Sequence, residues 1–179
     1  MEKYNSPAKL LHWVVGFAII GLIAVGLYME GLDYDGPTGN KMQLYSIHKS
    51  IGTIVLMLMV LRVAWRMIST YPKSLSTHQV WEKILSKVVH GILYIMALSM
   101  PLSGWAMSSS YGYPVSVFGL FTLPALVDKN EVRGEWLAEI HEIGGYALIA
   151  VIALHVLGAI KHHVIDKDET IKRMLPFVK

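Results

Sequence analysis

Eight histidines occur among the 179 residues, and five of them, His12, His48, His90, His141 and His155, lie in or at the edge of long apolar stretches. An ionisable side chain in such a place is costly and is usually retained for function. For one histidine alone, a packed or hydrogen-bonded role would be the better reading. Five invite a chemical one. Neutral imidazole can ligate a metal through one ring nitrogen while the other is held by a neighbour, or it can relay protons. The chain has no cysteine. Disulfides, thiolate-ligated haem, iron–sulfur clusters and covalent haem attachment through CxxCH are thereby excluded.

The elements that must position these rings are membrane helices. Hydrophobic residues make up 54% of the chain and charged residues only 16%, against about 25% charged in an ordinary soluble domain. Four stretches, about 10–29, 47–67, 88–108 and 140–160, approach the roughly 20 apolar residues needed to cross a hydrocarbon core. The expected fold is all-α: one domain over residues 1–179, an integral membrane four-helix bundle with up-down topology. The first stretch is too long for a signal peptide and no small-x-small site follows it, so it is expected to remain as a span. The side holding both termini and the loop between spans two and three carries 12 of the 16 Lys and Arg, from Lys3 and Lys9 through Arg62 and Arg66 to Lys179. The other side has Lys41, Lys49, Lys129 and Arg133. Basic residues stay inside, so both termini are expected in the cytoplasm and the chain in a bacterial inner membrane. The small net charge of +3 and its concentration at membrane ends make nucleic-acid binding a poor reading.

Depth then sorts the histidines. His12 opens an outward span and sits near the inner surface. His48 and His141 open inward spans and sit near the outer surface. His155 follows His141 by 14 residues, which is about 21 Å deeper and within about 40° of the same helix face. Two pairs result, His12 with His155 and His48 with His141. Each of these four has a glycine one turn on: Gly16, Gly52, Gly144 with Gly145, and Gly158. Residues at i+3 and i+4 share a face, so glycine there would leave room for a flat macrocycle beside its axial ligand. His90 is followed at those offsets by Leu93 and Tyr94, and is not expected to bind iron. Zinc usually wants four ligands, and each pair offers two. Haem needs only two from the protein. Two b-type haems, six-coordinate and suited to electron transfer, are the expected cofactors.

Other residues could serve such a centre. Arg62 and Arg66, one turn apart, match the geometry of haem propionates, although anchoring to headgroups explains them too. Lys49, beside His48, is a similar candidate. His90 and His162 could donate to a quinone carbonyl, while His163 reads as a snorkelling residue and His78 as a surface histidine. The loop from about Ser109 to Glu139 combines acids with Tyr111, Tyr113, Phe118 and Phe121, as a lid at the membrane surface would.

The segments LLHWVVG at His12, SIHKSIG at His48, VVHGILY at His90, EIHEIGGY at His141 and ALHVLGAIKHHV from His155, with the ending DKDETIKRMLP, resemble the bacterial cytochrome b561 family. The resemblance covers all four spans. It implies two b-haems on His12, His48, His141 and His155, the set that depth selects, and ubiquinone as a partner. One branch of the family resembles a superoxide oxidase, taking an electron from superoxide outside. An anionic substrate favours a positive funnel, whereas the outer loops hold Glu30, Asp33, Asp35, Asp128, Glu131, Glu135 and Glu139. Lys41, Lys49 and Arg133 could form a local basic patch. Three functions follow: a superoxide:ubiquinone-type oxidoreductase; an electron-carrying anchor for a partner dehydrogenase or hydrogenase; or, without haem, a proton-coupled transporter.

Overall fold

The computed structural model describes residues 3–75 and 77–176; Lys179 lies outside them. Four helices account for most of the chain: α1 (Ser6–Glu30), α2 (Asn40–Ile68), α3 (Val80–Ser110) and α4 (Glu131–Val164). Each is long and apolar enough to cross a membrane. Their large exposed apolar side chains, such as Leu10 (64%), Phe17 (65%), Ile95 (67%) and Leu157 (61%), would be a liability in water. Together they describe a multi-pass membrane protein, an all-α bundle as expected.

The helices extend beyond the predicted spans because their ends are polar and capped. Asn5 accepts from the Ala8 amide with Pro7 in the first turn of α1, a combination that favours helix initiation. Gln79 and Glu82 form a capping box on α3. Asn130 accepts from the Arg133 amide and starts α4 nine residues ahead of the predicted span. Consecutive helices run antiparallel. Trp65, near the end of α2, donates to Asn5 at the start of α1 (3.0 Å), and Lys161, near the end of α4, pairs with Glu82 at the start of α3. One end of the bundle therefore holds both termini, and is called the terminal end below.

At the opposite end, the connection expected as a lid folds into a hairpin. Strands β1 (Val115–Val117) and β2 (Phe121–Leu123) pair antiparallel, with Val115 opposite Leu123 and Val117 opposite Phe121. Phe118 and Gly119 turn between them with φ of 50° and 74°. Positive φ at both central positions suits the twist of a tight hairpin, which Gly119 adopts freely and Phe118 at a cost. The hairpin is clasped to α2 by Ser50, which is fully buried. Ser50 Oγ donates toward Ser46 O and Ser116 O and accepts from the Phe118 amide (3.0 Å). Ser50→Ala should destabilise the hairpin by about 1–3 kcal/mol, the usual cost of stranding a buried donor. Faster hydrogen exchange at the Phe118 amide would register it, and unchanged exchange would refute it.

The apolar core joins Val15, Val55, Met59 and Ala97 with Ala18, Ile19, Leu58 and Tyr94. All belong to α1, α2 and α3. Helix α4 packs along α3 but makes no comparably close contact with α1 or α2 among the described residues. A gap thus runs between α4 and the α1–α2 pair.

Candidate functional site

Histidine rings reach into that gap at two levels. At the hairpin end, His48 of α2 faces His141 of α4, with ring centroids 6.5 Å apart and planes at 73°. At the terminal end, His12 of α1 faces His155 of α4, 6.1 Å apart at 71°. Two imidazole nitrogens each about 2.0 Å from one metal atom, on opposite sides of it, place their ring centroids about 6.4 Å apart, allowing roughly 1.2 Å from nitrogen to centroid. Both pairs have that spacing. His90 of α3 lies closer to His155, at 5.1 Å, too near to share a metal across it.

The second nitrogens are distinct. Ser103 Oγ donates to Met100 O (2.8 Å) and stands 2.8 Å from His141 Nδ1. Its one proton is committed to the carbonyl, so Nδ1–H of His141 donates to Ser103 and Nε2 keeps its lone pair free to ligate. Such outer partners orient a ligating imidazole and commonly contribute 10–100-fold to metal affinity. Ser103→Ala should therefore weaken haem retention at the hairpin end by about that range. A haem-transfer assay to apomyoglobin would show it, and an unaltered release rate would dismiss this role. His48 Nδ1 is buried with no hydrogen-bond partner, an orphan that a bound group would explain. At the other level, Arg62 donates to His12 Nδ1 (3.1 Å), and His90 Nδ1 donates to Ser86 O (2.6 Å).

The space beside the rings fits a macrocycle. A Cβ added at Gly16, Gly52, Gly145 or Gly158 would meet no atom within 4 Å. Gly144 is different: its Cβ would lie 2.7 Å from Met100 Sδ. It serves the close approach of α3 to α4, and Gly145 is the member of that pair beside open space. Two further glycines, outside the same-helix pattern, pack on the rings themselves. A Cβ built on Gly26 of α1 would lie 3.6 Å from His48 Cε1, and one built on Gly104 of α3 would lie 3.2 Å from His141 Cε1.

The remaining candidates divide. Arg62 stays at the terminal-end pair, with its guanidinium 5.2 Å over the Tyr94 ring. Arg66 stacks on Tyr71 and Tyr94. Lys49 is turned away from His48 toward the hairpin, where Nζ donates to Pro114 O (2.9 Å). His162 is engaged by Asp166 and Asp168. His78 is not a surface residue, for it too binds Asp168 (2.9 Å) with its side chain only 14% exposed. Burial pushes the Asp168 carboxyl up, but the Thr170 hydroxyl and amide and the His78 ring bond to it, with His162 beside it, and these hold it down at about 2.

Known proteins resemble the chain over nearly its whole length. The family described as prokaryotic cytochrome b561 matches residues 3–177. Cytochrome b561 homolog 2 of Escherichia coli (strain K12) is 33% identical over 174 residues, covering 97% of this chain and 92% of that protein. The probable superoxide oxidase CybB of Yersinia pestis is 27% identical, covering 98% and 97%. A probable Ni/Fe-hydrogenase B-type cytochrome subunit of Bradyrhizobium diazoefficiens is 19% identical, covering 96% and 83%. With four membrane-length helices and histidines opposed across a central gap, the chain belongs to the prokaryotic cytochrome b561 family, as a multi-pass membrane electron carrier of the b-haem type.

Proposed function

We propose that the chain holds two haems b, one between His12 and His155 and one between His48 and His141, and carries electrons from a donor at the hairpin end to ubiquinone at the terminal end. The observation that supports this most directly is the pair of ring separations, 6.1 and 6.5 Å, across a gap that no helix packing fills. Bound haem would supply one-electron chemistry; the chain supplies ligation, spacing and electrostatics. His141 is fixed in its ligating tautomer by Ser103. His12 is not, because Arg62 donates to its Nδ1. Ligation through Nε2 would put a proton on Nδ1 and release Arg62, whose fork matches a propionate. His90 spends its Nδ1 proton on Ser86 O, so its Nε2, at the same level, would donate to a quinone carbonyl only as imidazolium. His162, the other quinone candidate, has Nδ1 occupied by carboxylates.

The excess of Lys and Arg at the terminal end supports a cytoplasmic placement of both termini, in a bacterial inner membrane. The donor side then faces outward. Among the described residues, Lys41, Lys49 and Arg133 spend their side-chain donors on carbonyls and hydroxyls, not on carboxylates. Free of a direct ion pair there, they would attract a small anion, which supports superoxide as the donor despite the acidic loops. A second reading, an electron-carrying subunit of a larger enzyme, is favoured by the likeness to the hydrogenase cytochrome subunit.

One experiment separates them. The purified chain alone should give two haems by pyridine haemochrome. Its Soret and α bands should reduce under a superoxide flux and reoxidise with a soluble ubiquinone, and superoxide dismutase should abolish the reduction. One haem or none would overturn the pairing. Two haems that superoxide leaves oxidised would favour the subunit reading.

A further inference from the structure

The terminal end holds another histidine cluster, separate from the rings in the gap. His78 lies in the connection between α2 and α3, His162 in the last turn of α4, and Asp168 four residues beyond it. His78 Nε2 and His162 Nδ1 stand 2.9 and 3.0 Å from the same atom, Asp168 Oδ2. The two rings lie face to face, 4.3 Å apart and 30° from parallel. The ligating atoms of all three residues fall within 4.8 Å of one another. The other carboxylate oxygen, Oδ1, accepts from the Thr170 amide (2.8 Å). That bond turns Oδ2 onto the imidazoles, as outer partners do for metal ligands.

Charge points the same way. Three carboxylates meet in this cluster, Glu82, Asp166 and Asp168, and Lys161 pairs with the first two. The one lysine is outnumbered by the three carboxylates. The side chains of His78, His162 and Asp168 are only 14, 15 and 9% exposed. Uncompensated charge so placed is costly, and a divalent cation cancels it.

We infer that His78, His162 and Asp168 form a site for a divalent transition-metal ion of the zinc class. Two imidazoles and one carboxylate are a zinc ligand set that keeps one position open, and Asp166, 2.8 Å from His162 Nδ1, stands ready beside it. Imidazole selects against magnesium and calcium, which prefer oxygen. The ion ties together three separate segments. The last of these continues to Arg173 and Met174, whose carbonyls accept from the Tyr4 amide (3.3 Å) and from Trp13 Nε1 (2.9 Å). Trp13 adjoins His12. The ion thus acts as a staple holding the C-terminal segment across the end of the bundle, and it does so whatever the haem count.

The test uses the full chain with its haem, purified through a histidine-free tag, stripped with EDTA and titrated with zinc sulfate against a chromogenic chelator. Wild type should bind one zinc per chain, counted by plasma mass spectrometry. Loss of an outer partner costs about 10–100-fold in affinity, so loss of a ligand in His162→Ala or Asp168→Asn should weaken zinc by at least that much. His163→Ala, exposed next door, should bind as wild type does. Zinc should also slow tryptic cleavage at Lys172 and Arg173 in wild type but not in Asp168→Asn. Soret intensity and elution profile report folding, and His78→Ala, on a different segment, answers the same question if His162→Ala does not fold. The inference fails if wild type takes up no stoichiometric zinc, or if His78→Ala and Asp168→Asn bind it as tightly as wild type.

Discussion

His141→Ala should halve the haem content, leaving one haem per chain with its ligation intact. The two histidine levels are far apart: 14 residues of α4 separate His141 from His155, about 21 Å along the axis. They also draw on different partners, α2 for one and α1 for the other. Ligands of one level therefore do not support the other, and their effects should be independent. Pyridine haemochrome should fall from two to one per chain. The retained haem should keep a six-coordinate low-spin spectrum, and electron transfer from the hairpin side should drop to background. His155→Ala should give the mirror result, losing the terminal-end haem. His90 should not rescue that variant, for a ring 5.1 Å from residue 155 already occupies space on one side of the missing ligand. Two haems retained in His141→Ala would exclude it as a ligand. Loss of both would mean that the levels fold as one unit.

Much of this was legible because membrane helices are simple objects. Apolar length located the four spans, and a rise of 1.5 Å per residue converted sequence number into depth. That is why the opposition of His12 to His155 and of His48 to His141 could be read before any coordinates. What periodicity does not carry is the identity of the neighbouring helix. Gly144 and Gly145 differ by 100° around α4, and only the position of Met100 on α3 shows which one is closed. Gly26 and Gly104 leave room beside histidines of other helices, so no spacing within one helix could find them. Adjacency to His48 suggests Lys49 for a haem and depth suggests His162 for a quinone, yet Pro114 and Asp168, distant in sequence or beyond the helix end, engage them. The hairpin escaped notice because its strands are three residues long, too short for alternation to register. The polar ends of α2 and α4 escaped because hydropathy sees only the part in lipid.

The open glycines give the second large effect. Gly52→Leu should abolish haem binding at the hairpin end while leaving the helices in place. No atom lies within 4 Å of where a Cβ at residue 52 would stand, so the side chain has room and need not displace protein. Leucine is also a better helix former than glycine, by roughly 0.5–1 kcal/mol. On packing alone the variant should be as stable as wild type or more so. The same position is one turn from His48, on the face where a macrocycle bound to that ring would lie. The leucine would fill that space, and a planar ring cannot yield as a side chain does. The expected variant is therefore folded, helical by circular dichroism and short of one haem, with Gly158→Leu doing the same at the terminal end. Gly144→Leu is the control with the opposite signature: its side chain would strike Met100, so helix packing should suffer first and the protein should lose thermal stability. If Gly52→Leu kept both haems, the space beside His48 would be no cradle, and the open glycines would be only the ordinary smallness of membrane helices.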